Sequence, residues 1–127
     1  MLLRYSIQRG QKLDDLPARL QRARRVDTRK HTRHCLRPEK ERVEQYLAEP
    51  SAVAWKRFER AYLGLLDRRF KDDREPFDAL ERLASEGDLA LGCNCPTGKN
   101  PDVQHCHTVL ALRFLAERYP RLEVEFP

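Results

Sequence analysis

Five reactive side chains crowded into fifteen residues, between an apolar run and a helical segment, constrain this chain more than any other feature. Cys93, Cys95, His105, Cys106 and His107 are three of its four cysteines and two of its four histidines. Leu89-Ala90-Leu91-Gly92-Cys93 is a short apolar run that follows Gly87-Asp88 and leads into a proline-bearing loop, which suits a strand buried on both faces. After the loop Asn94 to Lys99, Asn100-Pro101 offers a cap and a first-turn proline, predicting a helix that continues to Arg118. Leu122, Val124 and Phe126 alternate with Glu123 and Glu125, predicting a last strand with one buried face. Strand, loop, helix and strand is the order of a βαβ unit, so the expected fold class is α/β with a parallel sheet, whose ligands sit beyond the C-terminal strand ends.

The rest of the chain supplies the flanking elements. Leu2 to Ile7 reads as a strand closed by a turn at Gly10. Asp14 and Asp15 precede Leu16, Leu20 and Ala23, whose spacing predicts one helix with acidic caps. Pro38 is placed to open a helix burying Val43, Tyr46 and Leu47, and Ser51 to cap the longest helix, in which Trp55, Phe58, Tyr62 and Leu65 form a core stripe. A further helix over Pro76 to Ser85 buries Phe77, Leu80 and Ala84, with Gly87 as its left-handed stop. The stretch Arg24 to Arg37 carries too few apolar residues to assign. At 127 residues, all of this fits one domain, 1–127.

No apolar run exceeds four residues, so a membrane span is excluded. The start Met1-Leu2-Leu3-Arg4-Tyr5-Ser6 lacks the apolar core of a secretory signal, and the expected compartment is the cytosol, where thiols stay reduced. The formal charge of +5 is uneven: between Arg19 and Arg42, ten lysines and arginines face Asp27, Glu39 and Glu41, a local +7 that leaves −2 for the remainder. Arg24, Arg25 and Arg29 in that stretch are candidate phosphate-binding groups for a nucleotide or nucleic acid, since arginine suits bidentate phosphate contact. The same run also reads as a solvated face. His31-x-x-His34-Cys35 adds three isolated donors without a second pair.

The cysteine and histidine cluster has three readings at this point. A helix N-terminus lowers the pKa of nearby thiols, so Cys106 in a first helical turn is a candidate nucleophile, with His107 or His105 as base and Cys93 as partner thiol. Cys93, Cys95, Cys106 and His107, with His105 nearby, alternatively supply thiolate and imidazole ligands for tetrahedral zinc. Adjacent helical residues diverge by about 100°, so only one of Cys106 and His107 faces a shared ion easily. Alternatively the cysteines and one histidine are core residues, because Val103, His107, Leu110 and Phe114 fall at helical spacing.

Trp55-x-x-Phe58-x-x-x-Tyr62-Leu63-x-Leu65-Leu66, Asp73-x-x-Pro76-Phe77-x-x-Leu80, Gly87-Asp88, Cys93-x-Cys95-Pro96 and Cys106-His107 together resemble the bacterial domain of unknown function family 488. The match is to the branch whose strand ends in Cys-x-Cys-Pro; it covers about residues 51–119, and Val26-Asp27-x-Arg29 echoes an earlier family motif. The resemblance implies a compact Rossmann-like domain, a small, mostly parallel sheet flanked by helices, and a role around nucleotides or nucleic acids. It maps the family's site onto Cys93, Cys106 and His107, adds Cys95 for the branch, and makes Asp27 and Arg29 supporting polar groups. Two departures stand out: Thr108 occupies a position where the family often has arginine, and the loop from Pro96 to His105 is longer and brings its own histidine.

The function expected from these readings is an enzyme-like cytosolic protein with a Cys/His site at the C-terminal edge of the sheet, acting on a phosphate-bearing ligand. The alternative is a non-catalytic, zinc-stabilised nucleic-acid-binding module that uses the Arg19–Arg42 surface.

Overall fold

Leu89 to Cys93 is the element around which the chain is arranged. In the computed structural model, which describes residues 1–127, all five of its residues are buried and it lies between two parallel neighbours. The elements are β1 (Leu2–Ser6), α1 (Ala18–Arg22), β2 (Arg24–Asp27), α2 (Lys40–Ala48), α3 (Ala52–Asp72), α4 (Glu75–Glu86), β3 (Leu89–Cys93) and α5 (His107–Arg118). The sheet order is β1-β3-β2, with Leu2 registered against Leu89 on one side and Arg24 against Leu89 on the other. The fold is therefore α/β, with a small, wholly parallel sheet flanked by helices, consistent with a compact Rossmann-like domain.

Side-chain alternation divides the sheet into two faces. Leu2, Leu89 and Leu91 enter the main core with Phe58, Tyr62 and Leu66 of α3, Phe77 and Leu80 of α4, and Leu110 and Phe114 of α5. Leu3 and Ala90, out of phase by one residue, meet Ala23 and Leu20 in a smaller cluster beside α1. Trp55, Phe58 and Tyr62 are buried at the spacing the sequence predicts. Ser51 caps α3 as predicted, its hydroxyl accepting from the Ala54 N–H at 3.0 Å.

Several boundaries differ from expectation for local reasons. The predicted helix over residues 14–23 is a one-turn 3-10 helix at Leu13–Asp15 and a separate five-residue α1, because Pro17 holds the preceding Leu16 extended (φ −84°, ψ 149°). The unassigned basic stretch supplies β2, and its continuation is pinned to α3: Tyr62 Oη donates to the Leu36 carbonyl, and Arg69 to the carbonyls of Cys35 and Arg37. Pro38 does not open α2; Glu39 is the cap and Lys40 the first helical residue, while Pro38 is buried at the edge of a cavity. Gly87 is extended (φ −177°), not left-handed. The end of α4 is closed instead by the Met1 nitrogen, which donates to the carbonyls of Ala84 and Gly87. The last predicted strand is reduced to one bridge, Leu2 with Val124, and Phe126 is 50% exposed.

Gly92 is required by a close approach. A Cβ at this position would lie 2.6 Å from Ile7 Cδ1 and 2.9 Å from Tyr5 Cε1. Gly92→Ala is expected to destabilise the protein by about 1–3 kcal/mol through overpacking, read as a lower urea midpoint with an unchanged slope. An unchanged midpoint would show that Ile7 and Tyr5 yield without cost.

Candidate functional site

The three C-terminal cysteines meet because the end of β3, the loop that follows it and the start of α5 come to one place. Cys93 is the last residue of β3, Cys95 lies two residues on, before the cis peptide bond to Pro96, and Cys106 is the N-cap of α5. Their Sγ atoms all lie within 4.8 Å of one another, and none is in a disulfide. Two sulfurs bound at about 2.3 Å to one tetrahedral ion stand about 3.8 Å apart, so the trio is spaced to hold a metal such as zinc with little movement. Three ligands leave the fourth corner of a tetrahedron open.

Cys106 reaches this place by a route the sequence reading missed. Asn100-Pro101 does not start the helix; the Asn100 side chain turns inward, its Nδ2 donating to the His105 carbonyl at 2.6 Å and to Cys95 Sγ at 3.4 Å. Asp102 then caps a one-turn 3-10 helix at Val103–His105, and α5 begins at His107. Cys106 is thus a cap with extended backbone (φ −125°, ψ 141°), not a first-turn residue, and this turns its thiol towards the end of β3.

Neither histidine joins the three sulfurs. His107 Nε2 lies 3.0 Å from the Thr28 carbonyl oxygen and 2.9 Å from Thr28 Oγ1. A carbonyl only accepts, so Nε2 carries the hydrogen and, in the neutral ring, Nδ1 is the free lone pair. His107 follows Cys106 directly in the chain, and its ring packs edge-on to Tyr62 with centroids 5.7 Å apart. His105 is stacked on Trp55 with ring centroids 4.9 Å apart, and its Nδ1 faces Tyr46 Oη at 3.2 Å.

The three thiols are electrostatically unequal. The neighbouring Cys93 and Cys95 thiols first, then the adjacent His107, hold Cys106 well below the usual thiol range despite its burial. Cys93 and Cys95 are pushed up, each first by its hydrogen bond to Cys106. Thr108 Oγ1 adds a contact to Cys106 Sγ at 3.1 Å, and Arg4 Nε donates to that same hydroxyl at 2.9 Å. Arg4, Thr28, Asn100 and Thr108 are site residues the sequence reading did not identify. Arg4 carried a signal, since the strand period places it on the face of Leu2, where a charge needs a reason, and Thr108 stood out only as a departure from the resembled pattern. Cys35 stands apart, burial raising its thiol to about 11.

A cavity of about 270 Å³ opens over the sulfurs. Val43, Tyr46, Leu47, Trp55 and Phe58 form an apolar wall, and Arg29, Lys30 and His31 line the same cavity. Arg29 is held by Asp27 through two nitrogens, Nε to Oδ1 at 3.0 Å and Nη2 to Oδ2 at 2.7 Å, while its Nη1 reaches Asn94 Oδ1. The other candidate phosphate-binding arginines are elsewhere. Arg24 and Arg25 register against Leu89 and Ala90, and Arg24 lies about 10 Å of strand from Asp27 at the site end. Arg25 Nη1 is committed to the carbonyls of Leu20, Gln21 and Ala23. His34 Nδ1 accepts from the Leu36 N–H, so the His31-x-x-His34-Cys35 group does not converge. A second cavity, about 400 Å³, lies between α2 and α3 with Arg42 and Arg57 on its rim; Tyr46 and Phe58 line both cavities.

No helix is long and apolar enough to cross a membrane. No family model, curated protein or solved structure matches the chain.

The Asp27 carboxyl is held below its ordinary range first by the Arg29 hydrogen bonds. A depressed carboxyl stabilises the fold fully above its unfolded pKa of about 4, and this stabilisation is lost as pH falls through the lower folded value. Asp27→Asn is therefore expected to cost about 0.5–1 kcal/mol at pH 7, discounted for solvent exposure, and nearly nothing near pH 2. Urea midpoints of both proteins at the two pH values check this; a gap that persists in acid would assign the effect to packing.

Proposed function

We propose that this protein is an enzyme-like domain in which Cys93, Cys95 and Cys106 hold one zinc ion at the foot of a pocket that receives a phosphate-bearing ligand, a nucleotide or the end of a nucleic acid. The observation that carries the reading is the convergence of three sulfurs within 4.8 Å below a cavity that has cations on its lining. The sulfurs are met by donors, Asn100 Nδ2 on Cys95 and the Thr108 hydroxyl on Cys106, an environment suited to thiolates more than to thiols. Three protein ligands with an open corner is the arrangement of zinc sites that engage a substrate, where the bound ion supplies Lewis-acid polarisation. Arg29, fixed by Asp27 and Asn94, would orient the anionic group of the ligand, and the Val43, Leu47 and Trp55 wall would exclude water from its apolar part.

Membership of domain of unknown function family 488 belongs to the same proposal. Cys93, Cys95, Cys106 and His107 from the motifs that carry the resemblance, and Arg29 from its weaker N-terminal echo, line one pocket. A cytosolic setting also suits it, since three adjacent thiols must stay reduced to bind metal. The module that would use the Arg19–Arg42 surface has less support, because Arg19 is taken up by Asp88 and Glu125 and Arg25 by carbonyl oxygens.

One observation favours a second reading. With Nε2 committed to Thr28, His107, the residue next to Cys106 in the chain, keeps Nδ1 as a lone pair, and a base oriented by a third group is what a thiol nucleophile needs. Metal content and thiol reactivity separate the two. Protein purified without chelator under reducing conditions is expected to contain about one zinc per chain, with three of its four thiols protected from alkylation until a chelator is added. Cys95→Ser is expected to weaken zinc at least about tenfold. Metal-free protein with one fast-alkylating thiol, abolished by Cys106→Ser, would overturn the zinc reading in favour of the thiol site.

The ligand half of the proposal has its own test. Trp55, the single tryptophan, lines the pocket, so its fluorescence reports occupancy by added nucleoside phosphates. Binding is expected to weaken with salt and at least about tenfold in Arg29→Ala, the scale of a lost charge-assisted pair. Equal affinity in the variant would remove Arg29 from the ligand's contacts.

A further inference from the structure

Arg4 is a half-buried guanidinium without a carboxylate partner. Arg19, Arg29, Arg113 and Arg118 each pair with an acid; Arg4 pairs with none. Burying a charge without a counter-charge is costly, so its surroundings must compensate. Its nitrogens go to three oxygens: Nε to Thr108 Oγ1 at 2.9 Å, Nη2 to the Cys95 carbonyl at 2.6 Å and Nη1 to Ser6 Oγ at 3.5 Å. Ser6 Oγ donates to the same Cys95 carbonyl at 2.6 Å.

These contacts have a direction. Thr108 Oγ1 accepts from Arg4, so its own hydrogen is free for Cys106 Sγ at 3.1 Å. The second contact grips the backbone of Cys95, another member of the trio. Arg4, which does not line the pocket, thus acts on two of the three sulfur-bearing residues through one hydroxyl and one carbonyl.

Charge completes the argument. Three thiolates and one divalent ion sum to a net −1, which a single guanidinium cancels; a monovalent ion would leave −2 against the same +1. We infer that Arg4 is the counter-charge and positioning residue of the three-sulfur centre, which is thereby built for a divalent thiophilic ion. This rests on the zinc reading above.

The test compares wild type with Arg4→Met, Arg4→Lys and Thr108→Val, each loaded with zinc alone under reducing conditions in competition with a chromophoric chelator. Outer-shell partners of metal ligands are worth about 10–100-fold in affinity, and Arg4→Met is expected to lose that much. Arg4→Lys keeps the charge without the planar fork and should fall between, and Thr108→Val should move in the same direction as Arg4→Met. Cobalt(II) in place of zinc should retain a thiolate charge-transfer band in every variant, displaced in Arg4→Met, which a purely structural role would not produce. Urea midpoints of the metal-free proteins establish that each variant folds; should Arg4→Met fail to, the other two variants carry the comparison. A wild type with one zinc and variants of equal affinity would overturn the role of Arg4 and leave the zinc reading standing. A wild type that takes up no metal would overturn both.

Discussion

Strand β3 has no free side, and the site follows from that. Parallel pairing to β1 and β2 consumes its backbone groups on both edges, while the two hydrophobic clusters bury its two faces. Its sequence answers each demand: Leu89 and Leu91 for the deep core, Ala90 for the thinner layer under α1, and Gly92 where Tyr5 and Ile7 close over the chain. A thiol at its last residue is consequently delivered buried. The only space left for reactive groups is past that residue, where parallel sheets place their ligands because the loops diverge there.

What could be read from the residues was whatever depends on period. The buried Leu89–Cys93 strand, the α3 stripe of Trp55, Phe58 and Tyr62, and the gathering of cysteines at a strand end all follow from spacing and were legible. Elements whose shape depends on a single side chain finding a distant partner were not. Asn100 has the composition of a helix cap, yet its amide is used by His105 and Cys95, and nothing local distinguishes the two uses. Gly87 has the composition of a left-handed stop, but the Met1 nitrogen, 83 residues from Ala84 in sequence, answers the Ala84 carbonyl that such a stop would have answered. Strand β2 was hidden because a four-residue edge strand bearing two arginines has too little apolar pattern to register.

The charge asymmetry of the sequence also takes on a different meaning in three dimensions. Most of the basic stretch is structural cation, binding carbonyl oxygens and carboxylates that hold α1 and the loop after β2. What reaches the pocket is a short piece, Arg29 to His31, and only because β2 ends beside β3 at Gly92. Linear charge density therefore overstated how much positive charge any one surface gathers.

Tyr46 and Phe58 are shared between the sulfur pocket and the neighbouring cleft of α2 and α3. A shared wall means the two spaces have one boundary, not two. A side chain added in the cleft would press the aromatic rings towards the sulfurs, and a ligand filling the pocket would press them back. The volumes are thus mechanically reciprocal, with the Tyr46 hydroxyl on His105 as the point where displacement of that wall would be felt beside the cysteines.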